Sequence, residues 1–293
     1  MIYQIRHLTA YSYKYPVATA KLALRVTPRD EAGQRRIENR VDISPSPAFV
    51  ALDRDFYGNA VNVVTIDTPH TELRIEATAR VEVTREANPT MPGMEWDAVA
   101  DAALSARDLS AAAPVHFLVA SSRVQLSADV TQYARTSFRQ GRGIIEASLE
   151  LTHRIRADFA YEPEATEIST PLAQAFAERR GVCQDFAHIM IAGLRGLGLP
   201  AAYVSGYIRT VPPPGKKRLE GADATHAWVS VWCGPRSGWL GFDPTNAMVV
   251  ANDHIALAVG RDFSDVSPVY GVFVGTETDE LEVEVDVIPL ASP

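Results

Sequence analysis

Cysteine is scarce in this chain of 293 residues: there are two, Cys183 and Cys233. A pair cannot build a disulfide framework or a four-cysteine zinc site. Positive charge is also short, with 28 Lys and Arg against 36 Asp and Glu and a formal net charge of −8. That balance has the wrong sign for nucleic acid or an anionic membrane surface, so neither is expected as a partner. No apolar run approaches the roughly 18 residues that a membrane-spanning helix needs. Residues Met1 to His7 alternate like a strand and lack the basic head and apolar core of a signal peptide, so a cytoplasmic location is expected. The rest is ordinary: 46% hydrophobic and 22% charged residues, as in a soluble globular chain of about two domains. A chain this long closes its core without disulfide or metal staples.

From residue 1 to 90 the texture is that of strands. Short period-2 runs such as Ala20–Thr27, Arg36–Ile43, Ala60–Ile66 and Leu73–Val83 are separated by Pro28, Gly33, Pro45, Pro47, Gly58 and Pro69. This spacing predicts an antiparallel sandwich-like domain. The breakers of Asn88–Gly93 then introduce a helical connecting segment over 91–140, with helices at Trp96–Arg107 and Thr131–Gln140. A third domain-like stretch, 141–293, opens with a helix over Ile144–Phe159. Its Ile144, Leu151, Ile155 and Phe159 recur at helical spacing. Pro171 suits a helix first turn after Ser169-Thr170. Strands are expected at Ala202–Thr210, His226–Cys233 and Trp239–Phe242, and a last β-like stretch at Val272–Ile288. The fold class is α+β.

One constellation carries chemistry. Apolar or small residues at 183, 186, 187, 190, 194 and 197 mark a buried helix stripe, and Gly181 just before it permits a turn. Cys183 then falls in the first helical turn, where free backbone N–H groups and the helix dipole favour a thiolate and can hold an oxyanion. The Cys183 backbone N–H is the expected oxyanion donor. His226 opens a strand on which Trp228 and Ser230 share its face. A hairpin through Gly234–Gly238 returns Asp243 to its side. Thiol, imidazole and carboxylate can therefore assemble with the ring taking the thiol proton and the carboxylate orienting the ring.

The motifs Gly181-Val182-Cys183, Thr225-His226-Ala227-Trp228 and Phe242-Asp243-Pro244-Thr245-Asn246 resemble the transglutaminase core. More particularly the chain resembles bacterial transglutaminase-like proteins, often described as cysteine proteases. Leu199–Tyr207, His254-Ile255 and Gly260–Val266 fit the same pattern over about residues 140–275. The His-x-Thr-x-Tyr-x-Tyr opening of that family's N-terminal β domain matches His7 to Tyr13. The resemblance implies a papain-like core, a helix bearing the cysteine packed on an antiparallel sheet bearing histidine and aspartate. It also implies a Cys-His-Asp triad that cleaves amide bonds through a thioester, with no cofactor, on peptide, isopeptide or glutamine-type amides of a peptide or protein substrate. Animal transglutaminases place Trp where this chain has Gln184, and their extra barrels and calcium-binding acidic loop have no counterpart in it, so hydrolysis is the simpler expectation.

Blander readings stand beside these. An isolated buried cysteine is ordinarily structural, and Cys233 is read so. Asp185 and His188 are read as structural or rim residues. His7, His70, His116, His153 and His254 show no metal-ligand spacing, so no metal is expected. Trp228, Tyr207 and Gln184 are candidates to line the cleft, Trp228 by shielding the imidazole. The Pro-rich loop Val211–Arg218 is a candidate cleft border. Competing functions are amine-dependent cross-linking, arylamine-type acetyl transfer, and a peptide-binding module without catalysis.

Overall fold

The computed structural model describes residues 1–85, 93–163, 165–210, 224–275 and 278–290. The Val211–Arg218 loop and most of the Asn88–Gly93 breaker lie outside these residues.

The first 85 residues form six strands: β1 (Ile2–Val17), β2 (Thr19–Leu24), β3 (Gln34–Ser44), β4 (Phe49–Arg54), β5 (Ala60–Ile66) and β6 (His70–Val83). Helices α1 (Trp96–Leu104), α2 (Ala128–Arg135) and α3 (Ile144–Asp158) follow. Next come β7 (Ala160–Tyr161), α4 (Leu172–Glu178), β8 (Arg180–Gly181) and α5 (Cys183–Gly196). The strands β9 (Ala201–Ile208), β10 (Ala224–Trp232), β11 (Trp239–Asp243), β12 (Met248–Val249) and β13 (His254–Gly260) lead to α6 (Phe263–Val266), β14 (Val269–Val274) and β15 (Thr278–Leu290).

Two four-stranded antiparallel sheets, ordered β15-β1-β6-β3 and β14-β2-β5-β4, make the N-terminal sandwich. This corrects the domain limits expected from sequence. Residues 269–290 do not close the second domain; β14 pairs with β2 and β15 with β1, so the chain returns to where it began. Nothing local distinguishes a strand that pairs with its neighbours from one that pairs 280 positions away. The helical segment 91–140 is likewise no mere connector. Val99, Val130, Ala134 and Phe138 share the core built around α5.

The second domain is a five-stranded sheet, ordered β12-β11-β10-β9-β13, with α5 against it. α5 is buried all round from Asp185 to Arg195 rather than along one stripe, because α1 to α4 wrap the side that the sheet leaves open. A helix so enclosed is held more by packing than by propensity. Arg195, 2% exposed, ties its end down by donating to the carbonyls of Ala201, Val119 and Arg261 and to the Ser121 hydroxyl. Pro171 proves to be the residue before α4, with extended backbone, rather than its first turn.

The domains share a core. β1 and β6 are 16 and 14 residues long, enough to serve two layers. Leu73 and Ile75 lie in the sandwich, whereas Tyr3, Ile5, Val81 and Val83 pack on Tyr207, Ile255 and Leu257 of the second sheet. Where the cores meet, His7 shares a hydrogen bond of 2.8 Å with the Tyr207 hydroxyl, and another of 3.2 Å with that of Thr9.

Two tests follow from this burial. Arg195→Leu strips several carbonyls of their donor and should lower stability by about 3 kcal/mol, measured by denaturant unfolding. Burial lowers His7 and His188 from the ordinary 6.5 to about 4. Each is neutral in the folded chain and protonated in the unfolded chain between those values, so stability should fall as pH drops from about 6.5 towards 4, by about 1.4 kcal/mol per pH unit for each group. His226, shifted upward, is charged in both states below 6.5 and adds no slope there. Melting temperatures across this range check the prediction; replacing both histidines by Gln should flatten the curve.

Candidate active site

Cys183 is the first residue of α5 and is half-buried. Its placement comes from local chemistry. The Asp185 carboxylate reaches back to accept from the Val182 N–H at 2.9 Å, and Thr166 donates to the same oxygen at 2.6 Å. This fastens the helix start to the 162–170 loop. Gly181 is required because a Cβ there would lie 2.5 Å from Asp185 Oδ2. Burial raises the Asp185 carboxyl above its usual range, against the pull of the Thr166 and Val182 bonds.

His226 and Asp243 come from adjacent strands. β10 and β11 pair with Val229 opposite Phe242, which puts Asp243 across from Trp228 and within reach of His226. The distance from His226 Nε2 to Asp243 Oδ2 is 2.8 Å. Cys183 is close enough to this imidazole to favour its charged form. Burial disfavours the imidazolium, but the bond to Asp243 and the nearby Cys183 outweigh it and raise the His226 pKa.

Asp243, with no exposure, is solvated entirely by the protein. Burial pushes its pKa up, and its donors overcome this and hold it well below the carboxylate range. Oδ1 accepts from the backbone N–H groups of Thr245 and Asn246 at 2.9 and 3.1 Å. Oδ2 accepts from His226, from Asn246 Nδ2 at 2.7 Å and from His254 Nε2 at 3.0 Å. The carboxylate is therefore an acceptor aimed at the His226 ring.

The three sequence-inferred triad residues are thus brought together. Among the candidate cleft residues, Tyr207 is a correction: fully buried in the interdomain core and bonded to His7, it borders no cleft. It points away because the N-terminal domain covers that face, which the sequence of β9 alone does not reveal. Trp228 is 2% exposed; its ring is 6.1 Å from that of His226 and 5.3 Å from that of His254. It lies over Gly206, whose missing side chain makes the space. Gln184 is half-buried beside Cys183 and donates to the Ile168 carbonyl at 3.4 Å. Cys233 is fully buried, and burial pushes its thiol up to about 12. Asp185 and His188 are buried structural groups; His188 accepts from the Phe263 N–H at 3.3 Å.

Three participants were missed. His254, whose spacing fits no metal-ligand pattern, bonds Asp243. Asn246 was read only as part of a motif. Tyr161, 46% exposed, is in register with Gly181 on the neighbouring strand, packs edge-on to Phe186 at 6.3 Å, and is close enough to feel the Cys183 charge. A signal for Tyr161 existed in Phe159-Ala160-Tyr161 closing a helix before the cysteine, but only pairing with β8 gives it meaning.

Among the described residues, His226, Asp243 and His254 have donor atoms within 4.8 Å of one another. Both imidazoles contact the same carboxylate oxygen at hydrogen-bond distance. That oxygen is the hub of a proton-bonded network, and the donor set is used up within it. A cavity of about 760 Å³ lies on the far side of Trp228, between the domains, lined by Arg29, Tyr57, Phe117, Trp239 and Val250. Its lining includes none of the triad.

A Cβ at position 206 would overlap the Trp228 indole and the Ile255 carbonyl oxygen. Gly206→Ala should therefore cost about 1–3 kcal/mol and impair the site together with the fold. Melting temperature and Trp fluorescence report both effects.

Comparison with known proteins agrees with this geometry. Residues 3–82 match the bacterial transglutaminase-like N-terminal region, and residues 125–244 match the transglutaminase-like superfamily core. An uncharacterized protein of Mycobacterium tuberculosis is 38% identical over 299 residues, covering 98% of this chain and 92% of that protein. One of Mycobacterium leprae is 30% identical, covering 98% and 99%. A protein-glutamine gamma-glutamyltransferase of Pseudomonas aeruginosa is 32% identical over 112 residues, 38% of this chain and 17% of that one. A crystal structure from Cytophaga hutchinsonii, of a protein provisionally described as a cysteine protease, shares the fold with a TM-score of 0.75 at 20% identity, covering 100% of this chain and 93% of that one. With both halves matched in order and full-length relatives of 30% and 38% identity, the chain belongs to the bacterial transglutaminase-like proteins of the transglutaminase-like superfamily.

Proposed function

We propose that this protein is a thiol-dependent amide hydrolase working through a thioester on Cys183. The observation that carries the reading is the His226–Asp243 hydrogen bond of 2.8 Å beside Cys183 at the start of a buried helix, with the aspartate fully buried among five protein donors.

Cys183 Sγ attacks the carbonyl carbon of a peptide, isopeptide or glutamine-type amide, and His226 takes the thiol proton. The Cys183 backbone N–H, in the first turn of α5, donates to the developing oxyanion. As the C–N bond breaks, His226 returns the proton to the leaving amine. Water then attacks the thioester, giving its proton to His226, and the acid departs as the thiol is restored. Asp243 keeps the ring oriented and balances its charge throughout.

A second reading has a specific support, the named glutamyltransferase activity of the Pseudomonas aeruginosa relative. There a primary amine would replace water. The two separate in one assay on a glutamine-containing peptide with an added primary amine: ammonia release without conjugate favours hydrolysis, and a stoichiometric conjugate favours transfer.

The reading itself is tested by iodoacetamide labelling against pH. Cys183 should be alkylated at neutral pH far faster than buried Cys233, and His226→Ala should slow this and move its half-maximal pH upward. On a turned-over amide, His226→Ala should cost about 10²–10⁴-fold in kcat/KM, and Cys183→Ala should leave no thioester chemistry. Alkylation of Cys183 indifferent to His226→Ala would remove the proposal's basis.

A further inference from the structure

The edge of the catalytic sheet is held by the other domain. Among the described residues β13 is the last strand of its sheet, so its outer peptide groups need partners other than a further strand. The Gln34 side chain provides them at Ala256, donating to its carbonyl and accepting from its N–H, both at 2.8 Å. The Asn59 side chain does the same at Val259, again with both distances 2.8 Å. The Arg29 N–H adds a bond to the Ala256 carbonyl at 3.0 Å. Arg85 donates to the His254 carbonyl at 2.5 Å, and its own N–H donates to Asn252 Oδ1 at 2.9 Å. Two side-chain amides thus stand where a strand would run, beside a register shift between Ala256 and Ala258.

What these groups hold in place is the first residue of β13. His254 has no exposure, and its Nε2 lies 3.0 Å from Asp243 Oδ2. Its Nδ1 accepts from the Ala251 N–H at 3.4 Å, which assigns the proton to Nε2 and makes the ring a donor to the carboxylate. The Trp228 indole, edge-on at 5.3 Å, keeps the ring from turning. We infer that His254 is a positioning residue for the triad, fixing the Asp243 oxygen that faces His226, and that the N-terminal domain sets its place by gripping β13. The sandwich is then a structural part of the catalytic device.

The inference rests on the proposed role of Cys183 and His226. Titratable groups facing this network are Cys183 from α5, His226 from β10 and His254 itself. The nearest ion pairs on packed elements join Arg209 to Asp253 and Arg85 to Glu31. An isosteric apolar side chain at 254 removes the donor, leaves Asp243 less well aimed and weakens its hold on the His226 imidazolium. A Gln at 254 can restore an N–H close to the original position.

The experiment follows Cys183 alkylation by iodoacetamide against pH in the full chain, with circular dichroism and melting temperature recorded for each variant. His254→Leu should slow neutral-pH alkylation about tenfold and raise its half-maximal pH by about one unit. His254→Gln should restore the wild-type profile. Gln34→Leu, which leaves every triad residue and His254 in place, should shift the profile the same way by less. A folded His254→Leu variant with the wild-type profile, while His226→Ala is impaired, overturns the positioning role. An unchanged profile in Gln34→Leu overturns the domain grip, and does so even where His254→Leu fails to fold. Indifference to His226→Ala overturns both this inference and the reading beneath it.

Discussion

A carboxylate removed from water must find its whole hydration shell in the protein, and Asp243 is that carboxylate. Leaving such a charge short of donors costs several kcal/mol, so much of the architecture can be read as supplying them. The turn after β11 gives two backbone N–H groups and the Asn246 amide. β10 gives His226, and β13, across the sheet, gives His254. Gly206 on the intervening strand leaves the floor low enough for Trp228 to lie against both imidazoles. The negative charge is thereby both tolerated and aimed.

The same constraint explains how the domains relate. The edge strand β13 carries His254, a donor to that carboxylate. Here the edge is sealed by Gln34, Asn59, Arg29 and Arg85, while Tyr207, Ile255 and Leu257 extend the apolar contact to β1 and β6. Apolar burial of this kind holds surfaces together without specifying register, whereas paired amide bonds to individual peptide groups do specify it. The helix side is handled differently. α5 carries its cysteine at a start fastened by Asp185 and Thr166, and its far end is pinned by Arg195. Between these fixed points the thiol meets a ring whose orientation is already decided.

Much of this was legible beforehand, for identifiable reasons. Helix starts and strand alternation are local properties, so Cys183 at the head of α5 and His226 and Asp243 on neighbouring strands could be read directly. The hairpin between β10 and β11 is short enough that its geometry follows from its turn residues. The setting of Tyr207 is not legible in β9, because which face of that strand is covered depends on a domain 200 residues away. The terminal strands were misassigned for the same reason, since β14 and β15 have no local mark of their partners. His254 carries no local signal, because its partner is a single carboxylate oxygen on another strand.

The sequence by itself determined the chemical groups and their order: a thiol at a helix start, an imidazole and a carboxylate on successive strands, and a β domain ahead of them. Those follow from periodicity and turn chemistry acting over a few residues. Only the tertiary structure decided that a second histidine completes the aspartate's shell, that the chain's end closes the sandwich it began, and that the N-terminal domain seals the edge of the five-stranded sheet. The reason is physical. Hydrogen bonds to a buried charge and to an open strand edge are met by whatever donors the fold brings within about 3 Å, and distance along the chain places no limit on which those are.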